Sequence, residues 1–345
     1  MSTVHVVLPG DVDDPRVPSG GNNYDRRVCD GLRELGWQVR ESALDGSWPE
    51  PDDEACDRLA SLLTGLPAGS LVLLDGLVAC GVPEIITPHA GRLRLIVVMH
   101  LPLMVEHPAL DRLERATLHA VTAVVATSDW AARQLADHHG LTHVSAVPPG
   151  TDLAPVASGS DGVRQLLCPA AVTPRKGQDL LVRALAEVAD LDWHCRCVGT
   201  TSRDSAYAAE VAELITERGL DERITLSGPR SGAELAAEFE RADLIVLTSR
   251  AETFGMVITE ALARGIPVLA TDVEAIPDTL GTASDGSVPG LLVPPEPGEL
   301  AKALRSWLTD GPLRERLRES AYARRATLAG WDHTARKLAH ILEHA

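Results

Sequence analysis

Short apolar segments alternate with longer segments of helical spacing along the chain. The first short segment, Val4–Leu8, is apolar except for one histidine and ends at Pro9-Gly10. A strand without clear polar alternation is typical of a parallel sheet that is covered on both faces. A loop rich in Asp, Pro and Gly follows, then a segment with apolar residues at helical spacing (Tyr24–Leu35) and a second strand at residues 37–42. This β-loop-α-β order predicts the start of a doubly wound sheet.

The same alternation continues through two successive halves of the chain. In the first half it predicts strands at residues 70–74, 95–99, 123–127 and 144–147, and helices at 111–118 and 129–139. In the second half it predicts strands at 165–168, 193–198, 224–227, 244–248, 267–270 and 290–293, with helices at 177–189, 207–218, 232–241 and 255–264 and two more from Glu299 and Leu313. The predicted fold class is α/β, with two Rossmann-like units of similar plan.

A small, polar segment without periodicity, residues 154–162, separates the two halves and predicts a linker. A length of 345 residues fits two domains. We therefore predict an N-terminal domain at residues 1–153 and a C-terminal domain at 154–327. The last helix, at about residues 328–345, fits either a simple terminal helix or one that crosses back onto the first domain.

Composition and charge narrow the choice of partner. The formal net charge is −17, which argues against nucleic acid as a ligand, because nucleic-acid binding requires a concentrated positive surface. The six cysteines lack zinc-type spacing and are interpreted as small core residues. No apolar segment approaches the ~20 residues of a membrane span, so we expect no stable membrane insertion and a cytoplasmic location. The oligomeric state cannot be inferred from these features.

The segment with the most specific pattern is residues 249–260 (SRAETFGMVITE), where a strand gives way to a helix. Ligands of doubly wound sheets bind at the carboxyl ends of strands. The helix is predicted to begin near Phe254-Gly255, where unpaired amides and the helix dipole suit an anionic diphosphate. Glu252 stands where it can meet sugar hydroxyls, and Glu260 where it can accept hydrogen bonds from a ribose. The alternative is that both are solvated carboxylates on an ordinary helix.

This pattern, Glu-x-Phe-Gly-x-x-x-x-Glu, resembles the signature of the retaining family 4 glycosyltransferases of the GT-B fold, the glycosyl transferases of group 1. The segment that follows, ALARGIPVLAT at residues 261–271, with Glu274 close behind, is also similar to that family. The resemblance implies a metal-independent, hexosyltransferase-type enzyme with no cofactor beyond its nucleotide-diphosphate-sugar donor. It implies an acceptor-binding first domain, a donor-binding second domain and an active site in the cleft between them. The donor-binding residues that it implies here are Thr253, Phe254, Gly255, Met256, Val257 and Glu260, with Glu252 at the sugar.

A basic turn, Thr173–Gly177, joins a strand to a helix and carries Arg175 and Lys176 side by side. Adjacent cations at a helix start can neutralise a diphosphate and the charge that grows as it leaves. Family 4 members carry a similar Lys-Gly, usually with an Arg five residues before the Lys, where this sequence has Ala171. We expect Lys176 to be catalytic and Arg175 either to supply the missing charge or to leave the diphosphate more loosely held. Taken alone, the turn would be a solvated surface feature.

The first β-to-α loop contains Gly20 and Gly21, which permit positive φ and close backbone approach. Family members have a Gly-Gly loop here that closes over the donor phosphates and helps to form the acceptor site. By that similarity we expect both glycines to contact the donor, and Asn22, Asn23 and Tyr24 to face the acceptor. The alternative is a plain turn.

Two further candidates follow other strands. His100 ends the strand LIVVMH, and the family often places a polar residue there close to the donor sugar, so we predict a catalytic role for it. Gly228 and Arg230 follow a later strand, where family members pass the nucleotide base. Uridine and guanosine donors both remain open, and the acidic chain favours a small soluble acceptor such as a metabolite or natural product.

Rival functions share the fold class, because fold does not determine function. A sugar phosphorylase, a nucleotide-sugar epimerase and a catalytically inactive nucleotide-sugar-binding protein all stay open, the last because of Ala171. A nicotinamide dehydrogenase is disfavoured, since no clean Gly-x-Gly-x-x-Gly follows a strand with an acidic residue about twenty positions on.

Overall fold

The computed structural model describes residues 2–160 and 163–345. Met1 and the last two residues of the predicted linker, Asp161 and Gly162, lie outside the described residues. The chain divides into two compact units, each with its own sheet and core. The first unit comprises Met1–Asp14, Gly20–Gly150 and Trp331–Ala345, and the second comprises Pro15–Ser19 and Thr151–Gly330. The main division falls at Gly150–Thr151, three residues before the predicted boundary.

The sheet of the first unit has six strands within the described residues, and every neighbouring pair is parallel. Its strands in chain order are β1 (Thr3–Pro9), β2 (Gln38–Leu44), β3 (Leu71–Asp75), β4 (Arg94–Met99), β5 (Ala123–Ala126) and β6 (Ser145–Ala146). Their spatial order is β2-β1-β3-β4-β5-β6. The strand β2 lies on one side of β1, and β3 and all later strands lie on the other side, so the strand order reverses between β1 and β3. In open α/β sheets, ligands bind at such a reversal point, at the carboxyl ends of the strands.

Helices cover both faces of this first sheet. They are α1 (Gly20–Glu34), α2 (Asp53–Gly65), α3 (Gly76–Ala79), α4 (Pro83–Ile86), α5 (Leu103–Glu106), α6 (Asp111–Ala120) and α7 (Asp129–His139). The core beneath α2 to α7 is almost entirely aliphatic, and the sheet residues Val72, Leu74, Leu95 and Val97 are fully buried in it. Burial of this kind is the dominant favourable contribution to folding.

The last helix in the chain belongs to the first unit and packs against α1. An added Cβ at Gly31 of α1 would lie 2.5 Å from the Ala335 methyl, so the two helices approach at a position where only glycine fits. The rings of Tyr24 and Trp331 meet edge-on with centroids 6.0 Å apart, and Thr334 donates to the Pro148 carbonyl.

The second sheet also has six parallel strands within the described residues. They are β7 (Gln165–Pro169), β8 (His194–Val198), β9 (Ile224–Leu226), β10 (Leu244–Leu247), β11 (Val268–Thr271) and β12 (Gly290–Val293). Their order, β12-β11-β10-β7-β8-β9, is the Rossmann order, with its reversal between β7 and β10.

The helices of the second unit surround this sheet. They are α8 (Gln178–Ala186), α9 (Ser205–Glu217), α10 (Gly232–Arg241), α11 (Met256–Leu262), α12 (Ile276–Leu280), α13 (Pro297–Thr309) and α14 (Gly311–Arg324), and the helix of the first unit at Trp331–His344 is α15. Trp193 and Trp307 are fully buried, and each indole N–H donates to a backbone carbonyl. Cys168, Cys195 and Cys197 lie in the same core, as the sequence predicted, and Cys56 is the one partly exposed thiol of the six.

Several sequence predictions of local structure were incomplete. The pattern missed α2, although Asp52 caps it by accepting from the Ala55 amide, and missed the short helix α12. The three helices predicted at the end of the chain are present, at Pro297–Thr309, Gly311–Arg324 and Trp331–His344. The pattern also placed the start of α1 at Tyr24, whereas the helix begins at Gly20.

The predicted linker is partly ordered against the second unit. The Ala157 amide donates to the Arg264 carbonyl, and the Gly159 amide donates to the Glu240 carbonyl. Asp243 accepts from Ser160. The described part of the predicted linker is therefore a surface segment whose backbone is hydrogen-bonded to the second unit. Of the helices in residues 2–160 and 163–345, none combines the length and hydropathy that a membrane span requires.

Candidate functional site

Two loops meet at the strand reversal of the second sheet. One follows β7 and contains Arg175 and Lys176; the other follows β10 and contains Glu252. The Thr248 hydroxyl donates to the Gly177 carbonyl at 2.8 Å, and the Arg250 amide donates to the Arg175 carbonyl at 2.7 Å. The tertiary structure thereby joins two segments that are more than 70 positions apart in the sequence.

Gly177 is required for this junction. Its φ is 67°, and an added Cβ would lie 2.2 Å from the Thr248 carbonyl oxygen. A side chain at this position would have both the wrong backbone conformation and no space. The glycine that ends the basic turn is therefore what allows the turn to contact the β10 loop.

Lys176 and Glu252 form an ion pair at the centre of the joined loops. The Lys176 ammonium hydrogen-bonds to Glu252 Oε2, and Arg175 Nη1 lies 3.8 Å from the same oxygen. The Ser249 hydroxyl also donates to it at 3.3 Å, and Glu252 is only 8% exposed. Burial opposes the charge of Glu252, but the two cations outweigh it and hold the pKa of Glu252 below its usual range. The site therefore contains a carboxylate that is ionised at neutral pH.

Glu274 contacts the backbone of the loop that carries Glu252. Its carboxylate accepts the Glu252 backbone N–H, and the Ala275 amide donates to the Glu252 carbonyl at 3.2 Å. Glu274 has a φ of 49° and is the one non-glycine residue with positive φ among the described residues. Burial raises the pKa of Glu274, and the charge of Glu252 adds to that effect. A strained backbone that holds a carboxylate in contact with a loop is typical of functional sites.

This strain gives a stability prediction. Replacing Glu274 with Gly removes the steric cost of the left-handed backbone, whereas replacing it with Ala keeps that cost, and both remove the carboxylate. We expect the Gly variant to be more stable than the Ala variant by about 1 kcal/mol in urea unfolding. Equal stabilities, or a less stable Gly variant, would show that the backbone at Glu274 is not strained.

The helix that was expected to begin near Phe254-Gly255 begins at Met256. Gly255 is its N-cap residue with a φ of 85°, and an added Cβ would lie 3.3 Å from Glu252 Cγ. Thr253 is buried, and Phe254, Met256 and Val257 are half-buried. The predicted donor-binding residues thus lie directly beside Glu252, on the same loop and first helical turn.

Glu260 projects from α11, one turn before Arg264. Its side chain is half-buried, and burial raises its pKa to about 7, with Arg264 opposing the shift and Asp152 adding to it. The carboxyl of Glu260 therefore titrates near neutral pH, whereas that of Glu252 is ionised there. The two glutamates of the motif therefore have different protonation behaviour, set by their surroundings.

Residue 171 is an alanine, at the position where the resemblance to family 4 led us to expect an arginine. The Ala171 carbonyl accepts from the Gln178 side-chain amide at 2.9 Å. Arg175 reaches toward the site from within the turn, and its guanidinium donates to the Ala251 carbonyl at 3.3 Å. A guanidinium therefore lies beside Lys176 and Glu252 although residue 171 supplies none.

Gly228 and Arg230 lie farther along the same edge of the sheet. They follow β9, the edge strand, which is two strands away from β7. Gly228 has a φ of 68° and its carbonyl accepts the Gly199 amide, while Arg230 lies 3.9 Å from Glu234. Their positions agree with a loop that flanks the central site rather than one that forms its centre.

The first unit brings His100 together with two residues that sequence reasoning missed. His100 Nε2 lies 2.9 Å from Asp25 Oδ1 and 3.8 Å from Asp75 Oδ2. Asp25 comes from α1, Asp75 ends β3, and both are nearly fully buried. Asp75 comes directly after the predicted strand at residues 70–74, a signal that could have identified it, whereas Asp25 lies inside a helix and has no sequence signal of this kind.

The predictions for the first loop need correction. Gly20 and Gly21 form the first turn of α1 and neither has positive φ. Gly21 serves close packing instead, because an added Cβ would lie 3.1 Å from the His100 ring. Tyr24 does not face an acceptor: it is 1% exposed, its hydroxyl donates to the Val147 carbonyl at 3.0 Å, and its ring packs on His100.

Asn22 and Asn23 remain nearer the surface. Asn22 is half-buried and its side-chain amide donates to the Asp11 carbonyl at 3.2 Å, and Asn23 is exposed. Helical periodicity explains the difference from Tyr24, because residues 22 and 23 fall on the outer face of α1 and residue 24 on the inner face.

Three clusters in the described part of the chain bring three ionisable side chains within 4.8 Å of one another: Asp25 with Asp75 and His100, Asp111 with His138 and His139, and His340 with Glu343 and His344. Burial favours the neutral ring at His100, but Asp25 and Asp75 outweigh it and raise the pKa of His100 to about 9. Within this first cluster, the imidazole Nε2 lies at hydrogen-bonding distance from Asp25 Oδ1.

The fold and this site define the class of protein. Two parallel six-stranded sheets of Rossmann type, one with the Glu252 motif at its strand reversal, constitute the GT-B architecture. Residues 18–155 match the family described as Glycosyltransferase Family 4, and residues 155–324 match the one described as Glycosyl transferases group 1. The chain belongs to this family of glycosyltransferases.

Curated relatives carry the name D-inositol 3-phosphate glycosyltransferase. The protein of this name from Kineococcus radiotolerans is 33% identical over 258 residues, which cover 67% of this chain and 59% of that protein. The one from Nocardia farcinica is 33% identical over 246 residues, which cover 65% of this chain and 53% of that protein. The chain thus aligns with only somewhat more than half the length of these relatives.

Solved structures share the fold at low sequence identity. Sucrose-phosphate synthase from Thermosynechococcus elongatus aligns with a TM-score of 0.81 at 21% identity, over 100% of this chain and 99% of that one. Anabaena HepE in complex with UDP and glucose aligns with a TM-score of 0.78 at 16% identity, over 100% of both chains. These similarities establish the fold.

Proposed function

We propose that this protein transfers a sugar, with retention at the anomeric carbon, from a nucleotide-diphosphate-sugar donor to a hydroxyl of a small polar acceptor. The observation that carries the proposal is the Lys176–Glu252 pair at the strand reversal of the second unit, with Arg175 beside it. An ionised, buried carboxylate next to two cations provides acceptors for sugar hydroxyls and a positive surface for a diphosphate in one place.

The roles of the residues follow from their chemistry. Lys176 and Arg175 neutralise the diphosphate as it leaves, so that the reaction needs no metal ion. The backbone of the loop at Thr253–Val257 contacts the diphosphate, Glu252 orients the sugar, and Glu260 accepts from the ribose. Gly228 and Arg230 contact the base. His100 of the first unit is the further residue to which we assign a catalytic role.

The acceptor hydroxyl attacks the same face of the sugar from which the diphosphate departs. The bond from the acceptor oxygen to the anomeric carbon forms as the bond from that carbon to the phosphate oxygen breaks, and the departing phosphate takes the acceptor proton. Glu252 is already held by Lys176 and by Ser249, so it orients the sugar and does not act as a nucleophile.

The names of related proteins suggest which substrates to test first. HepE was solved with UDP-glucose, and the curated relatives are named for D-inositol 3-phosphate. We propose a hexose donated from UDP or GDP, and an acceptor of the polyol or polyol-phosphate class. Such an acceptor is small and polar, in agreement with an acceptor site built from Asn22 and Asn23.

The test has a binding arm and a transfer arm. Melting temperature is measured with UDP-, GDP-, ADP- and TDP-sugars, with and without EDTA, because a ligand that prefers the folded state stabilises it by mass action. Donors that bind are then incubated with polyol acceptors and the products identified, including their anomeric configuration. A retained glycoside formed in EDTA supports the proposal. Sugar phosphate as product indicates a phosphorylase, an isomerised donor an epimerase, and binding without turnover an inactive binding protein.

The pKa of Glu260 gives a pH prediction. Its carboxylate form accepts hydrogen bonds from the ribose more strongly than the neutral acid does, and its pKa is about 7, so protonation below neutral pH weakens that contact. We expect the KM for the donor to rise as the pH falls from about 8 to 5.5, and Glu260→Gln to abolish this dependence. Glu299→Gln, at a surface position of α13, is the control and should keep the wild-type profile. A profile that is the same in all three proteins would contradict the role of Glu260.

A further inference from the structure

Three ionisable side chains of the first unit form a compact triad at the carboxyl end of its sheet. Asp25, Asp75 and His100 come from three different elements, and the imidazole Nε2 approaches both carboxyls. Asp25 and Asp75 are 6% and 5% exposed, and the His100 side chain is 17% exposed. Burial of two carboxyls and an imidazole together is costly unless their charges are balanced.

One atom of the triad shows how the charges are balanced. Asp25 Oδ2 is buried, and no conventional donor among the described residues reaches it. A buried acceptor without a donor destabilises the folded state. Asp75 Oδ1 already accepts the Leu77 amide at 2.6 Å. A proton on the Asp75 carboxyl, directed at Asp25, would satisfy the remaining acceptor and remove the repulsion between two buried carboxylates.

The surroundings support this arrangement. Burial raises the pKa of Asp75 to about 7, and the charge of Asp25 adds to that effect, so Asp75 holds a proton readily. The edge-on ring of Tyr24 lies 5.1 Å from the His100 ring, and the backbone of Gly21 lies close to it. Asp25 and Tyr24 of α1 and Asp75 of β3 thus all approach the His100 ring.

We propose that Asp25 and Asp75 are positioning residues that hold His100 as an imidazolium, with its Nε2–H on Asp25, so that the ring acts as a fixed cation and not as a general base. This inference rests on the proposed function for its catalytic meaning. The imidazolium keeps its proton throughout the transfer, and the acceptor proton goes to the departing phosphate. The positive ring counters negative charge near the reacting atoms.

The charge of His100 is tested directly by NMR on the full-length chain labelled at histidine. The signal is assigned by comparison with His100→Gln. We expect the ring to be protonated at pH 7 and to titrate near pH 9. In Asp25→Asn it should titrate more than one pH unit lower, because the main charge partner is gone. Asp30→Asn, at an exposed position of the same helix, is the control and should leave the titration unchanged. A neutral wild-type ring at pH 7, or equal titration in wild type and Asp25→Asn, overturns the inference.

The role in transfer is tested by the pH dependence of kcat. In the wild type kcat should fall as the pH rises through about 9, and in Asp25→Asn this fall should move to lower pH. A kcat that instead rises as the ring loses its proton would identify His100 as a general base and refute the proposal. The NMR titration does not require turnover. A protein with a charged ring and no transfer from any donor would therefore refute the proposed function while leaving the charge assignment intact.

Discussion

Replacing Lys176 with Met should lower kcat/KM by about 10²–10³-fold, which corresponds to about 2.7–4 kcal/mol of transition-state stabilisation. The ammonium contacts Glu252 directly, and in the proposed reaction it also faces the departing diphosphate. Methionine keeps most of the apolar stem and removes the charge. The loss should be in kcat more than in KM, because the charge on the diphosphate grows as the bond breaks. Steady-state kinetics at saturating acceptor measures both constants.

The matched control is Lys302→Met. Lys302 is an exposed lysine of α13 whose partner, Glu299, lies on the same helix. It should keep wild-type kinetics. Melting temperature must accompany the kinetics, because the loss of Lys176 also leaves Glu252 buried without its main cation. A Lys176→Met protein that stays folded and retains more than about a tenth of wild-type kcat/KM would exclude a central role for this residue.

Replacing Glu114 with Ala should destabilise the first unit by about 3–5 kcal/mol. Glu114 is fully buried and His139 nearly so, with His139 Nε2 2.6 Å from Glu114 Oε1. The other oxygen of Glu114 accepts the Leu103 amide. Removing the carboxylate leaves an imidazole and a backbone N–H buried without their acceptor. For a unit of this size, the melting temperature should fall by roughly 6–20 °C.

A neighbouring pair on the same two helices provides the control. Asp111 and His138 also pair, at 2.5 Å, but their side chains are 38% and 39% exposed. Asp111→Asn should change the free energy of unfolding by less than about 1 kcal/mol, because water and salt screen an exposed pair. Calorimetry or urea unfolding of both variants gives the comparison. Equal losses from the two substitutions would mean that burial does not determine the contribution of the Glu114–His139 pair.

Much of the architecture was accessible from the amino-acid sequence. The apolar segments at β3, β4 and β10 are continuous because both faces of a parallel sheet are covered, and this made the strands recognisable without any other information. The Glu252 motif and the basic turn were found for a related reason. Each lies in the few residues after a strand, where a doubly wound sheet places its ligands.

Other features were not obtained in this way. The helix α2 was missed, although Asp52 caps it and its buried residues Ala55, Leu59 and Leu63 recur at helical spacing. The start of α1 was placed four residues late, because two glycines and two asparagines are poor helix formers and are more often found in loops. They are helical here, and an added Cβ at position 21 would lie in tight contact with the His100 ring, at 3.1 Å.

The sequence by itself determined the α/β class, the two Rossmann-like units, and the positions of Lys176 and Glu252 after their strands. These depend on local periodicity and on short spacings, which a linear pattern records. Only the tertiary structure decided that Asp25 and Asp75 meet His100, that Tyr24 is buried, and that Glu260 exchanges its proton near neutral pH. Such properties arise from burial and from charges brought together by folding, and residues far apart in the chain contribute to each of them.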